Sequence, residues 1–337
     1  MVHEGDVIVP RWSWEMVSLS FLVSLIGATT AIALNDLRRK STTTGRSRAL
    51  LAAVSFCIGG IAVFMMHFVG MGGIILISPD TGLPMPITYD VLLTLLSILV
   101  AVAGAWLGLF IVSKDPFWAE VVREKRVALM IEHTKYLTMT DASNVHKVRA
   151  TVLFNSPWRI LAGGLCIAIG VCSMHYCGMC AMRLNATMTV RPGIVVLSFV
   201  IALVAACAGS WLIFRVLTFN STLLVRTSCS FVIALAVCGM HYTGMYGVEY
   251  RYTSYRVSTG PEFGTTLPQT VSVLAFLLCF GFDAWVRDQL LSQIALFSAS
   301  TKTAPLTAMD AGPTKLEARA HHVDVTPPST ISDADRA

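Results

Sequence analysis

Seven uninterrupted apolar runs divide the chain, at about residues 16–34, 50–77, 89–113, 159–182, 194–217, 226–248 and 268–286, with polar segments between them. Each is near the ~20 residues a helix needs to cross a hydrocarbon core, and none alternates apolar and polar positions as a barrel strand does. The pattern predicts an all-α, polytopic membrane protein of seven transmembrane helices. The second run is the longest, which predicts a tilted or kinked helix. Residues 1–15 precede the bundle and residues 16–290 form the membrane domain. A long loop at about 114–158 joins the third helix to the fourth, and 291–337 reads as a disordered tail, rich in Ser, Thr, Pro and Ala. Within the long loop VVREKRVALMIEHTKYLTM mixes Val121, Val122, Val127, Leu129, Met130 and Leu137 with charge. It reads equally as an amphipathic helix or as a linker on the headgroups.

Composition agrees: 55% of residues are hydrophobic and 13% charged, and the mean hydropathy is +0.67. The formal charge of +5 raises the question of nucleic acid, but its placement answers otherwise. The loops at 35–49 and 114–158, the flanking Arg159, Arg215 and Arg226, and the tail from Arg287 hold 20 of the 25 Lys and Arg. Arg11, Arg183, Arg191, Arg251 and Arg256 lie on the other side. The basic excess therefore orients the protein, with the N-terminus outside and the C-terminus cytosolic, and implies the lipid bilayer rather than nucleic acid as partner. The plasma membrane is the favoured location. Ala31-Ile32-Ala33 after the first run resembles a cleavage site, but Glu4, Asp6 and Glu15 replace a basic leader, so the run reads as an uncleaved helix. Nine cysteines, mostly within apolar runs, read as packing residues rather than a disulfide framework.

Candidate chemistry enters with an internal repeat. The second, fourth and sixth runs contain MMHFVGM at 65–71, SMHYCGM at 173–179 and GMHYTGM at 239–245. The third, fifth and seventh share a weaker echo in Gly104-Ala105-Trp106, Gly209-Ser210-Trp211 and Asp283-Ala284-Trp285. The predicted unit is a helix pair, repeated three times after an unpaired first helix. The three Trp belong to a cytosolic aromatic belt, and Asp283 is expected to pair with Arg287 one turn on.

An imidazole inside a bilayer needs a partner, so His67, His175 and His241 at matched depth form a functional hypothesis. Met71, Met179 and Met245 follow four residues later, on the same helical face. Gly70, Gly178 and Gly244 flank that stripe and would let another helix backbone approach. Imidazole and thioether suit copper, with Met66, Met174 and Met240 as auxiliary ligands; zinc would favour thiolate or carboxylate. Two other readings stay open: packing motifs without metal, and axial haem ligation by paired His. Cys177 and Cys180 form a CxxC that reads more readily as small packing residues than as an added thiolate ligand.

These residues resemble the MHYT-domain membrane sensors, named for a core present intact as Met240-His241-Tyr242-Thr243. The resemblance covers most of residues 14–290. It implies copper held by Met and His, with oxygen, carbon monoxide or nitric oxide as the ligand sensed. The first motif departs from the core as MHFV and the second as MHYC, so a hydrogen-bonding role for the tyrosine is in doubt at Phe68. Bacterial relatives are often fused to a cyclic-nucleotide enzyme or a kinase, whereas only a loop and a tail follow here, as in a stand-alone, for instance fungal, member.

The expectation is a membrane sensor or signalling protein that binds copper near its outer face, senses a diatomic gas or redox state and acts on a cytosolic signalling partner. Its rivals are a copper transport or delivery protein, which predicts ligands at several depths, and a metal-free interaction scaffold. No nucleophile triad, phosphate loop or paired catalytic carboxylates occur, so no catalytic residues are assigned and the chain is expected not to be an enzyme. Asn185-Ala186-Thr187 is a sequon too close to the membrane for use to be expected.

Overall fold

The computed structural model describes residues 4–41, 43–114, 118, 153–154, 156–219, 222–256 and 260–303, with side chains to residue 292. Seven helices are long and apolar enough to cross a membrane. They are α1 (Trp14–Arg39), α2 (Thr44–Met71), α3 (Val91–Ser113), α4 (Pro157–Ala181), α5 (Pro192–Val216), α6 (Leu223–Tyr246) and α7 (Leu267–Thr303). The amphipathic stretch proposed for the long loop lies outside the described residues. So does the tail beyond 303, but α7 runs on to Thr303, past the expected end of the membrane domain at 290.

Local chemistry sets the helix starts. Ser13 caps α1 by accepting from the Met16 amide, with Glu15 in the first turn. Asp90 caps α3 by accepting from the Leu93 amide at 2.9 Å, and Pro157 and Pro192 open α4 and α5, where no amide donor is needed. The long second run is irregular for a specific reason. Phe56–Met65 is π-helical, directly before the first Met-His motif, and regular α-helix resumes over Met66–Met71. The run ends at Met71 rather than 77 because Ile74–Ile75 forms a strand.

The helices form a ring with pseudo-threefold order. The motif helices α2, α4 and α6 lie inside, α3 packs against α2 and α4, α5 against α4 and α6, and α1 against α6 and α2. The third outer place thus belongs to α1, not to α7 as the repeat suggests. Sterics explain the choice: α1 buries a stripe of small residues (Ser20, Ser24, Gly27, Ala28 and Ala31), and a Cβ at Gly27 would meet the Ala62 amide nitrogen at 2.8 Å. Helix α7 lies against α2, with Phe282 on Phe56 and Pro268 over Gly72. Helices α3 and α4 meet through glycine, a Cβ at Gly104 falling 2.7 Å from the Gly170 Cα. Gly104 is therefore a helix contact, while its neighbour Trp106 is exposed and suits the expected belt. Trp211 instead donates to the Leu153 carbonyl at 3.1 Å.

Short strands unforeseen in the sequence cap the motif end. They are β1 (Val7–Ile8), β2 (Arg11–Trp12), β3 (Ile74–Ile75), β4 (Thr88–Asp90), β5 (Met182–Arg183), β6 (Ala186–Val190), β7 (Val248–Tyr252) and β8 (Glu262–Phe263). All pairings are antiparallel, in sheets ordered β1-β7-β6, β2-β3 and β5-β4-β8. Three arginines of this end form close ion pairs within the cap. Arg183 pairs with Asp90 at 3.0 Å, Arg251 with Glu249 at 2.6 Å, and Arg256 with Glu262.

The helix-capping bond from Leu93, then the Arg183 charge, hold the Asp90 carboxyl below its ordinary value despite its burial. A carboxyl lowered on folding contributes stability above the usual range near ~3.9, and that contribution is lost as pH falls through the lowered value. Thermal unfolding in detergent across the acid range should therefore show a melting temperature falling with pH, and Asp90→Asn should lower the neutral value and flatten the acid dependence.

Candidate metal centre

The pseudo-threefold ring places His67, His175 and His241 in mutual contact, each fully buried. The three Nδ1 atoms form a triangle with sides of 3.0 Å (His67–His241), 3.3 Å (His67–His175) and 3.3 Å (His175–His241). Adjacent ring planes meet edge to face at 79°, 82° and 86°. The Nε2 atoms press on the glycine of another motif in a closed cycle. A Cβ at Gly178 would lie 2.3 Å from Nε2 of His67, one at Gly244 2.3 Å from Nε2 of His175, and one at Gly70 2.6 Å from Nε2 of His241. These glycines make room for an imidazole, rather than for a helix backbone as the sequence suggested.

The triangle cannot satisfy itself. A neutral imidazole has one donor nitrogen and one acceptor, and an Nδ1 has a single in-plane direction for either role. With three such atoms touching pairwise, at least one contact joins two of the same kind. The Nε2 atoms offer no relief, since all three are buried without a hydrogen-bond partner among the described residues. Each unmet buried polar group costs on the order of 1–3 kcal/mol. A cation at the centre removes the conflict at Nδ1 by accepting three lone pairs at once.

The dimensions fit a metal ion. The triangle's centre lies about 1.9 Å from each corner, close to the ~2.0 Å of a metal–imidazole bond. Among the described residues, the three His are the one group of His, Cys, Asp or Glu assembled with ligand spacing, so neither Cys177 nor Cys180 joins them. Met71, Met179 and Met245 are buried one turn beyond their histidines, and Met66, Met174 and Met240 are buried beside them. No ring nitrogen of the triad hydrogen-bonds a methionine sulfur among the described residues. The donor set brought together is three imidazoles. Helical phase puts His and Met on one face, and the structure brings the three imidazoles into contact with the six methionines buried around them.

Two of the rings pack edge-on against the tyrosine that follows them, His175 on Tyr176 at 4.8 Å and His241 on Tyr242 at 4.7 Å, and each tyrosine is anchored in turn. Tyr176 bonds Ser198 at 2.7 Å and Tyr242 bonds Ser20 at 2.7 Å. Ser20, Ser97 and Ser198 are equivalent: each is fully buried, is the seventh residue of its helix, and donates to the carbonyl three residues before it. At the third position Phe68 has no hydroxyl and packs edge-on to Tyr89 at 5.3 Å. The signal was present in the sequence as Leu19-Ser20-Phe21, Leu96-Ser97-Ile98 and Leu197-Ser198-Phe199, on the first, third and fifth runs rather than the third, fifth and seventh.

Two outcomes follow. Gly178→Ala should force the His67 ring from its place, lowering the melting temperature through an overpacking cost of ~1–3 kcal/mol and weakening copper retention in detergent-purified protein. Tyr176→Phe should cost roughly 1 kcal/mol of stability, while the matched change at Phe68 is already native, so Phe68→Tyr should not lower the melting temperature if Ser97 can accept its hydroxyl.

Comparison with known proteins agrees with this repeat. Residues 60–123 and 169–226 match the MHYT family, described as a bacterial signalling protein N-terminal repeat. MucR of Pseudomonas aeruginosa, a bifunctional diguanylate cyclase/cyclic di-GMP phosphodiesterase, is 28% identical over 261 residues, 75% of this chain and 30% of its own length. The cyclic di-GMP phosphodiesterase NbdA of the same species is 27% identical over 69% of this chain and 24% of its own. The signaling protein YkoW of Bacillus subtilis is 21% identical over 71% of this chain and 24% of its own. The chain thus spans about a quarter to a third of the length of these relatives. No solved structure matches it. The expectation that the chain is not an enzyme is overturned as drawn, because two of these relatives are named as enzymes. That expectation rested on missing catalytic motifs, which has no force for a chain covering under a third of each relative; the similarity itself lies in the membrane repeat. Two of the three repeats thus match the MHYT domain, described as a repeat of bacterial signalling proteins, and the third closes the same triangle.

Proposed function

We propose that the chain is the sensing unit of a membrane signalling system, with a transition-metal ion, copper first, held by His67, His175 and His241. The observation carrying this reading is the Nδ1 triangle of 3.0, 3.3 and 3.3 Å, which satisfies a cation and cannot satisfy itself. Imidazole suits copper, and the lack of a carboxylate in the group disfavours hard cations. Copper held there would supply a binding position for a small ligand such as oxygen, carbon monoxide or nitric oxide.

The protein's own residues do the rest. The glycine cycle and the two Tyr–Ser bonds hold the rings, and each ring belongs to a different motif helix. A shift at one ring is therefore felt by α2, α4 and α6 together. A signal needs a ligand that prefers one of two helix arrangements, since only differential affinity moves such an equilibrium. From the names of MucR and NbdA, the output is cyclic di-GMP turnover, in a partner or in a further part of the polypeptide. The distribution of basic residues supports a triad on the non-cytosolic side.

Copper transport fits less well. A transport path needs ligands at successive depths, but one helical turn below the triad stand Val63, Val171 and Val237. Elemental mass spectrometry of detergent-purified, copper-loaded protein should find one ion per chain and little in a variant with all three His changed to Ala. Full copper in that variant, or none in the wild type, would contradict the assignment.

A further inference from the structure

A cavity lies one helical turn below the triad, between the three motif helices and α5. One turn back from His67, His175 and His241 are Val63, Val171 and Val237, and all three line the same space of about 70 Å3, together with Met240. The wall is apolar but for Ser210, 3% exposed, whose hydroxyl has no hydrogen-bond partner among the described residues. On the side of α5 and α6 the lining is small and half-buried, at Ala205, Ala206 and Ala236, so the wall there reaches the lipid-facing surface.

Size and polarity select the occupant. The space is far below the ~300–1,000 Å3 of sites for drug-sized ligands, which excludes nucleotides and sugars. Apolar cavities of this order stay dry and take up apolar atoms and molecules such as xenon. A diatomic gas has the right bulk, dissolves in bilayers better than in water, and would find one weak hydrogen-bonding group in Ser210.

We propose that this cavity is a holding site for an apolar diatomic molecule, reached from the bilayer between α5 and α6, that supplies the histidine triad from below. The cap closes the opposite approach. At the motif end β2 pairs with β3, Trp12 packs edge-on to Tyr242 at 5.7 Å, and Phe68, Met71, Met179 and Met245 are buried. The supply step rests on the metal-sensing reading; the occupancy of the cavity does not.

The test uses the full chain, with xenon as probe. Crystals pressurised with xenon should show one anomalous peak among Val63, Val171 and Val237, in the wild type and after copper removal alike. Ala206→Leu and Ala236→Leu, each at a half-buried wall position, should remove the peak while copper content stays at the wild-type level. In copper-loaded protein both variants should slow carbon monoxide association at least tenfold. No xenon in the wild type, an ordered acyl chain in the cavity, or a peak that survives both fillings would overturn the holding site. Unchanged association rates would overturn the route. Copper content in the same preparations separates these failures from failure of the metal assignment, in which case the supply step falls and xenon still decides the cavity.

Discussion

Three imidazoles in contact, in the part of a protein that water does not reach, impose a parity constraint. Each Nδ1 gives or accepts, none does both, and a triangle of such atoms has at least one mismatched side. A pair of buried histidines has no such difficulty, since one donor and one acceptor suffice. The constraint comes from threefold repetition itself, because the repeat that makes the fold also makes the conflict. A positive centre equidistant from three nitrogens would relieve it, and the triangle's size leaves room for one metal ion.

Much of the surrounding structure keeps that triangle small. Imidazoles approach to 3.0–3.3 Å only because each Nε2 edge rests on a residue without a Cβ, and the three glycines provide this in rotation. Small-residue faces bring the helices near enough: Gly104 and Gly170 join α3 to α4, and Gly27 seats α1 on α2. The π-helical segment of α2 sits immediately before the first motif, where an extra residue per turn re-phases His67 relative to the helix below it. Above, ion-paired strands close the bundle; below, valines end the polar column.

The seven helices and the matched histidines were legible because hydropathy and a repeated Met-His-aromatic-x-Gly-Met pattern are strong, local signals. The geometry of the site was less so. His67 and Met71 share a face by phase, but which of them reaches the axis depends on the Gly178 surface of another helix, 111 positions away in sequence. The place of α1 was hidden for a related reason. Chain order suggests that α6 pairs with α7, whereas shape favours the small-residue stripe of α1, and the Leu-Ser echo that marks this equivalence has no unusual chemistry to draw attention. Strands of two to five residues have too short a pattern to be read from alternation.

The central proposal is that imidazole nitrogens alone would hold a metal, with the conspicuous methionines serving as packing. X-ray absorption at the copper edge of loaded, detergent-purified protein measures this directly. The account predicts a nitrogen shell near ~2.0 Å with the outer-ring scattering of imidazole and no sulfur shell. A sulfur contribution near ~2.3 Å would show that Met or Cys enters the site and would contradict the three-histidine assignment.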